Sequence, residues 1–446
     1  MTKPLAFLPL FLGLALAAPS LEQAEALLKA GEYAQAALAY EAILAQDYGR
    51  VEAHLGLGVA LFRAGRLEEA RFAFDQMTRV FPERYEGHFN LGQVYLRLGK
   101  PLEAAEAFRK AAALRPTEEA YLGLAAALAQ AGKAKEAAEA LRQGLAPERS
   151  PAYRLALAQA LYAAGDRAEA VPVLYGLLNQ DPKRAEAWEL LARILAEEGL
   201  KGRALRELDR GLAQVEGKAR ARLLLRKALL SEAPEPLLRE AYALDPSLWE
   251  AGYLLGQARL RAGEAKEALS YLLSAYRTSP EPPVALALAG AYLRLKDYRS
   301  AYRYADEAGP PGAFLKAQAA YALGRKEEAL RLLEGAGTPE AQALKGAILL
   351  EMGRPEEAVA LLRPLYEAGR DPQVGGNLAA GLVALGRFGE AELILREVLA
   401  RAPKEAAAWY NLGLALRGLG REGEADRAFR QAAALGSAEA QALLRR

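Results

Sequence analysis

The chain has no cysteine, which excludes disulfides, thiolate metal sites and a lipid anchor on cysteine. Histidine is nearly absent, with only His54 and His88 in 446 residues, and tryptophan and methionine occur three times each. Charge of one sign is missing too. Lys and Arg number 58 against 56 Asp and Glu, so no basic surface stands out to draw nucleic acid or an anionic membrane. No Gly-rich phosphate loop, nucleophile elbow or metal-ligand spacing is found, which argues against an enzyme and leaves no cofactor to expect. Disorder is excluded as well, because 52% of the residues are hydrophobic and 26% charged.

An uncharged apolar run, Pro4 to Ala18, follows Met1-Thr2-Lys3. With Ala15-Leu16-Ala17 as a small-x-small cleavage site, residues 1–17 read as a secretory signal peptide. The run is too short to span a bilayer comfortably. The expectation is an exported protein, periplasmic or secreted, with no integral membrane segment in the mature chain. Ser20 and Gln23 form a capping box, so a helix should start directly after the cut.

What the rest of the chain holds is a repeat. Glycines that would end a helix stand at Gly31, Gly65, Gly99, Gly132, Gly165, Gly199, Gly263, Gly324, Gly353, Gly386 and Gly420, with Lys296 in the same place once. Five residues after each stands alanine, from Ala36, Ala70 and Ala104 to Ala391 and Ala425. Glycine can take the left-handed conformation that stops a helix, and alanine fits where two helices approach closely. Four residues further, one turn along, comes a larger apolar residue such as Tyr40, Phe74, Phe108, Leu272 or Phe429, with Ala305 the exception. Glu precedes the alanine in nine copies, where an acid suits the first turn of a helix.

From Glu86 to Pro116 the pattern is most complete: His88, Leu91, Gly92, Tyr95, Gly99, Ala104, Phe108, Ala111 and Pro116. This order resembles the tetratricopeptide repeat, whose period is about 34 residues, with His88 where that family usually has Trp. The resemblance implies an all-α fold, a right-handed superhelical solenoid of about thirteen helix-turn-helix units. Neighbouring helices roughly 10 Å apart would give it a contour on the order of 130 Å. His54 and His88, one repeat apart, then read as packing residues rather than metal ligands.

Along the chain, residues 18–216 form an N-terminal array and 247–437 a C-terminal one. Between them residues 217–246 read as a degenerate helix pair, either drift or a hinge, and 438–446 as a polar capping helix. Pro172 should bend the second helix of the fifth unit and Pro364 should interrupt that of the eleventh. Marker spacings of 28 and 29 after Lys296 and Gly324 point to short second helices.

In the resembled family the inner surface is lined by positions 2, 5, 9, 12 and 13 of each unit. Here that row implies a peptide-binding face containing Phe62, Arg63, Phe89, Gln93, Arg97, Gln159, Tyr162, Tyr253, Gln257 and Arg261. It continues through Arg294, Phe314, Gln318, Tyr321, Tyr410 and Arg417, with Asn90 beside it. Aromatic, amide and guanidinium groups together suit an extended peptide, and the arginines suit acidic groups on it. The carboxylate clamp of chaperone-tail receptors is not reproduced, since Leu55 and Val59 precede Asn90 where that clamp needs Lys and Asn. The implied role is an exported scaffold binding a protein or peptide in its concave groove, in cell-envelope assembly, secretion, pilus or polysaccharide-export machinery. A cytoplasmic peptide-binding regulator is the alternative, and the helical accessory part of a cell-wall enzyme a third.

Overall fold

Helices of 13 or 14 residues are marginal alone in water and need a neighbour on which to bury their apolar faces. Most helices here have that length, for example Val51–Arg63, Leu67–Val80, Tyr85–Arg97 and Pro101–Leu114. In the computed structural model, which describes residues 19–144 and 150–445, they pack in sequential pairs. The described residues hold 27 α-helices, one 3-10 turn and no strand. The chain divides into two compact bodies, Met1–Leu230 and Ser231–Arg446, each a row of stacked pairs. The proposed signal peptide lies outside the described residues. The first described helix, Leu21–Lys29, is capped by Ser20, with the reciprocal Gln23 bond of a full capping box.

All eleven marker glycines have positive φ, and Lys296 joins them at 60°. The amide that follows the marker bonds back to the preceding turn, as Arg66 N–H does to the Leu61 carbonyl at 3.0 Å. Each of the twelve alanines five residues later has 0% exposure, which makes this position the most uniformly buried in the chain. In five repeats the larger residue one turn on lies over a glycine seven before the marker. A Cβ at Gly58 would fall 2.5 Å from Phe74, at Gly256 2.5 Å from Leu272, at Gly346 2.5 Å from Leu362 and at Gly413 2.4 Å from Phe429. Backbone and side chain therefore touch directly.

His54 and His88 have the role that tryptophan has in other repeats. Their Nε2 atoms lie 2.8 Å from the Tyr48 carbonyl and 2.9 Å from that of Pro82, six residues back. Trp188 and Trp409 donate from Nε1 to the carbonyls of Pro182 and Pro403 at the same offset, each at 2.9 Å. A carbonyl only accepts, so the histidines carry their proton on Nε2 and fasten the first helix to the preceding loop. Glu before the buried alanine also does more than meet a helix dipole. Arg66–Glu69, Arg354–Glu357, Arg387–Glu390 and Arg421–Glu424 repeat one ion pair across the turn.

Several departures from the expected pattern have local causes. Pro364 does not interrupt its helix, which runs unbroken from Pro355 to Gly369. Its ring is on the exposed face, where the carbonyl it leaves unpaired can meet water. Pro172 is likewise accommodated within Arg167–Gln180. The short second helices are Tyr298–Glu307 and Lys326–Leu332, of 10 and 7 residues. Of the degenerate pair, Gly217–Leu230 packs on Ala185–Glu197, where Arg222 reaches Glu186 and Glu189. Its other member, Glu235–Leu244, belongs to the C-terminal body and packs on Trp249–Arg261, with the largely buried Arg259 pairing to Glu235 and Glu264. The terminal helix, Ala438–Leu444, is capped by Ser437 and packs on Glu422–Ala434.

Candidate functional site

The row expected to meet a ligand comprises positions 2, 5, 9, 12 and 13 of the first helix of each pair. What that row offers depends on how much of it the chain itself uses. A repeated contact links position 12 of one repeat to position 13 of the next. Arg97 lies over the Phe62 ring, 5.6 Å from its centre. Tyr162 donates its hydroxyl to the Glu197 carboxylate at 2.6 Å, Tyr321 donates to Glu351, and Arg294 donates to the backbone carbonyl of Leu260. Five of the expected ligand-binding groups, Phe62, Arg97, Tyr162, Arg294 and Tyr321, are thus engaged in rungs between neighbouring repeats.

Other members of the row are turned inward or along their own helix. Phe89 stacks on Tyr85 at 5.3 Å and meets Phe108 edge-on at 5.5 Å. Asn90 donates to the Glu86 carbonyl of its own helix at 2.7 Å. Tyr410 and Arg417 both lie against the buried Phe429. Phe314 is half-buried against the core around Ala317 and Leu333, Gln93 and Gln318 are half-buried, and Arg63 and Gln159 are exposed.

One segment remains open. Tyr253, Gln257, Leu260 and Arg261 face Pro283, Leu286 and Ala287 of the next repeat across a cavity of about 290 Å³. The Gln257 amide donates to the Tyr253 hydroxyl at 2.6 Å, which fixes both groups on one wall. Burial pushes the Tyr253 phenol up, so it stays a neutral donor. Arg261 is exposed at the edge and makes no ion pair among the described residues. An apolar floor, a fixed amide–phenol pair and a free guanidinium can together hold an extended chain with an acidic or carbonyl-rich segment. Leu260, Pro283 and Leu286 carry no aromatic, amide or guanidinium group and so are not among the residues expected from the sequence. They occupy row positions 12, 2 and 5, and that register was the signal that could have found them.

The rungs titrate. Burial first, then the hydrogen bond to Glu351, pushes the Tyr321 phenol from 10.0 up to about 12, and that bond, with Lys326, holds the Glu351 carboxyl down. Because the folded value lies above the unfolded one, the neutral phenol's contribution is complete below pH 10 and is lost as the pH rises through about 12. Tyr321→Phe should therefore flatten the alkaline fall in stability between those values, measured as melting midpoints against pH. An unchanged slope would mean that the rung adds nothing to folding.

Stacked helix pairs with a register-defined row of first-helix positions define a helical-repeat scaffold. The chain belongs to the tetratricopeptide-repeat family: models of that repeat match residues 21–79 and 377–440, 85–118, 161–228, and 310–334 with 339–364, together more than half of the chain. Among solved structures it is similar to the Cut9–Hcn1 hetero-tetramer of the APC/C, at 18% identity over 86% of this chain and 87% of that one, TM-score 0.39. It is also similar to YrrB, described as a TPR protein with an unusual peptide-binding site, at 20% identity over 40% and 92%, TM-score 0.35. The C-terminal part of a TPR repeat-containing protein from Cytophaga hutchinsonii matches at 16% identity over 52% and 98%, TM-score 0.44. No curated protein matches the chain. Among the described residues no helix is long and apolar enough to cross a membrane, and no group of three or more acidic or histidine side chains is placed to hold a metal ion.

Proposed function

We propose that the protein is an exported, non-catalytic scaffold that holds protein partners by an extended segment on its first-helix row, in building or maintaining the cell envelope. The family supports binding as its mode of action. The observation that carries the site is the open stretch of that row at Tyr253, Gln257 and Arg261, where a cavity adjoins an unpaired cation. Export rests on Met1 to Ala17, read as a signal peptide.

Photo-crosslinking from position 286 in the native host, followed by mass spectrometry of the adducts, tests both parts. Tyr253→Ala with Arg261→Ala should reduce capture of the same partner about tenfold, roughly 1.4 kcal/mol, while leaving helix content unchanged. Equal capture by the double variant would remove this stretch as the site. The mass of the native protein decides the compartment. A chain beginning at Ala18 supports export, and an intact Met1 moves the scaffold to the cytoplasm as a peptide-binding regulator.

A further inference from the structure

The outer side of the first two repeats departs from the pattern of most other repeats. Seven residues after the marker glycine, the second helix points to solvent, and most repeats place a polar or charged group there, such as Glu106, Glu139, Arg206, Arg303 and Arg427. The first two repeats carry Leu38 and Phe72 instead, exposed by 64% and 58%. Leu393 is exposed at the same position, but Ala360 and Arg427 flank it in register, and single exposed apolar residues are ordinary. At Leu38 and Phe72 two consecutive repeats deviate together.

Beside Phe72 a groove of about 370 Å³ runs between the helices Tyr33–Gln46 and Leu67–Val80, over Val51–Arg63. Leu44, Leu57, Leu61 and Ala73 make its floor. Leu57 and Leu61 are at positions 7 and 11 of their unit, about 150° around the first helix from the ligand row at 3.6 residues per turn, so this groove and that row are separate. Three carboxylates rim it. Glu68 is paired with Arg71 and Lys100, and Glu69 with Arg66, whereas Glu41 is exposed and makes no ion pair among the described residues.

We infer that this groove is a second docking surface, and that its occupant is an amphipathic helix of a partner protein that inserts an apolar side chain beside Phe72 and lays a Lys or Arg against Glu41. The cavity holds one or two such anchors, the scale at which helix-in-groove recognition works. The site is independent of the row around Tyr253.

The probe is a fluorescein-labelled 18-residue synthetic peptide with Leu at helical i, i+3, i+4 and i+7 spacing and Lys beside the Leu face. Its Glu-for-Lys counterpart and a scrambled Leu/Lys peptide are the controls, all read by anisotropy against the full chain. The Leu/Lys helix should bind at least tenfold tighter than either control. Phe72→Glu should weaken it at least tenfold and Glu41→Gln severalfold with a shallower salt dependence, while Tyr253→Ala with Arg261→Ala leaves it unchanged. Phe72 is exposed, so its variant should keep the wild-type circular dichroism. Equal binding by Phe72→Glu, equal binding of the Glu peptide, or no binding to the wild type would overturn the proposal. So would a concentration-dependent dimer abolished by Phe72→Glu, which makes the occupant a second copy. Binding seen only after removal of residues 1–18 would overturn it too, by making the occupant the chain's own start.

Discussion

Phe108→Ala is expected to destabilise the N-terminal body by about 3–5 kcal/mol, the range for truncating a buried phenylalanine. Its ring is 1% exposed and lies between the backbones of two consecutive repeats. A Cβ at Gly92, in the first helix of its own unit, would fall 2.9 Å from the ring, and one at Gly123, in the next unit, 2.6 Å from it. Phe89 closes a third side edge-on. No side chain can swing into the space, because two of its walls are glycine backbone. The truncation therefore removes an intra-repeat and an inter-repeat contact at once, and in a linear array such coupling holds the neighbours folded. Hydrogen exchange on the full chain should show the loss across the helices Pro101–Leu114 and Glu118–Gln130 as protection lowered by two to three orders of magnitude, at about 1.4 kcal/mol per order. Helices before Val51 should change little. A uniform loss over the whole body would mean that the body unfolds as one unit rather than repeat by repeat.

The same pair of glycines shows what the sequence could disclose. Marker glycine, buried alanine and the large residue one turn later are legible because each is fixed by local geometry that recurs every 33 or 34 residues. All twelve alanines are at 0% exposure. Which members of the ligand row are free was not legible, because it depends on contacts one repeat away. Tyr162 is a ligand candidate until Glu197 is placed beside it, and Arg294 until the Leu260 carbonyl is. The pairing of position 12 with position 13 of the next unit is simple once seen, yet three different chemistries satisfy it: a cation over a ring, a phenol–carboxylate bond (twice) and a guanidinium on a backbone carbonyl. No single residue type marks it. Arg261 stands out by the opposite criterion, a cation at position 13 that makes no ion pair among the described residues.

Gly312→Ala is expected to cost more than about 3 kcal/mol, beyond the usual range for overpacking. Gly312 has φ −82° and ψ −10°, which alanine adopts freely, so conformation is not the obstacle. The obstacle is contact. A Cβ there would lie 2.0 Å from the carbonyl oxygen of Ala305 and 2.9 Å from its carbon, backbone against backbone with no rotamer to relieve it. This crossing also accounts for Ala305, the one repeat without a large residue at its position. The turn at Gly309–Gly312 passes over that site, and the volume is taken instead by Tyr304, stacked on Tyr292 at 5.6 Å with the rings 3° from parallel. Alanine at 312 must push apart the helices Tyr298–Glu307 and Ala313–Ala322, which are held together through this turn. Gly337→Ala is the matched control, in another inter-repeat turn, with nothing within 4 Å of its Cβ. Urea unfolding of the two full-length variants should separate them by the whole of that cost, with exchange protection lost first between residues 298 and 332. If they unfold together, the turn can shift, and the small residue at 305 has some cause other than the glycine that crosses it.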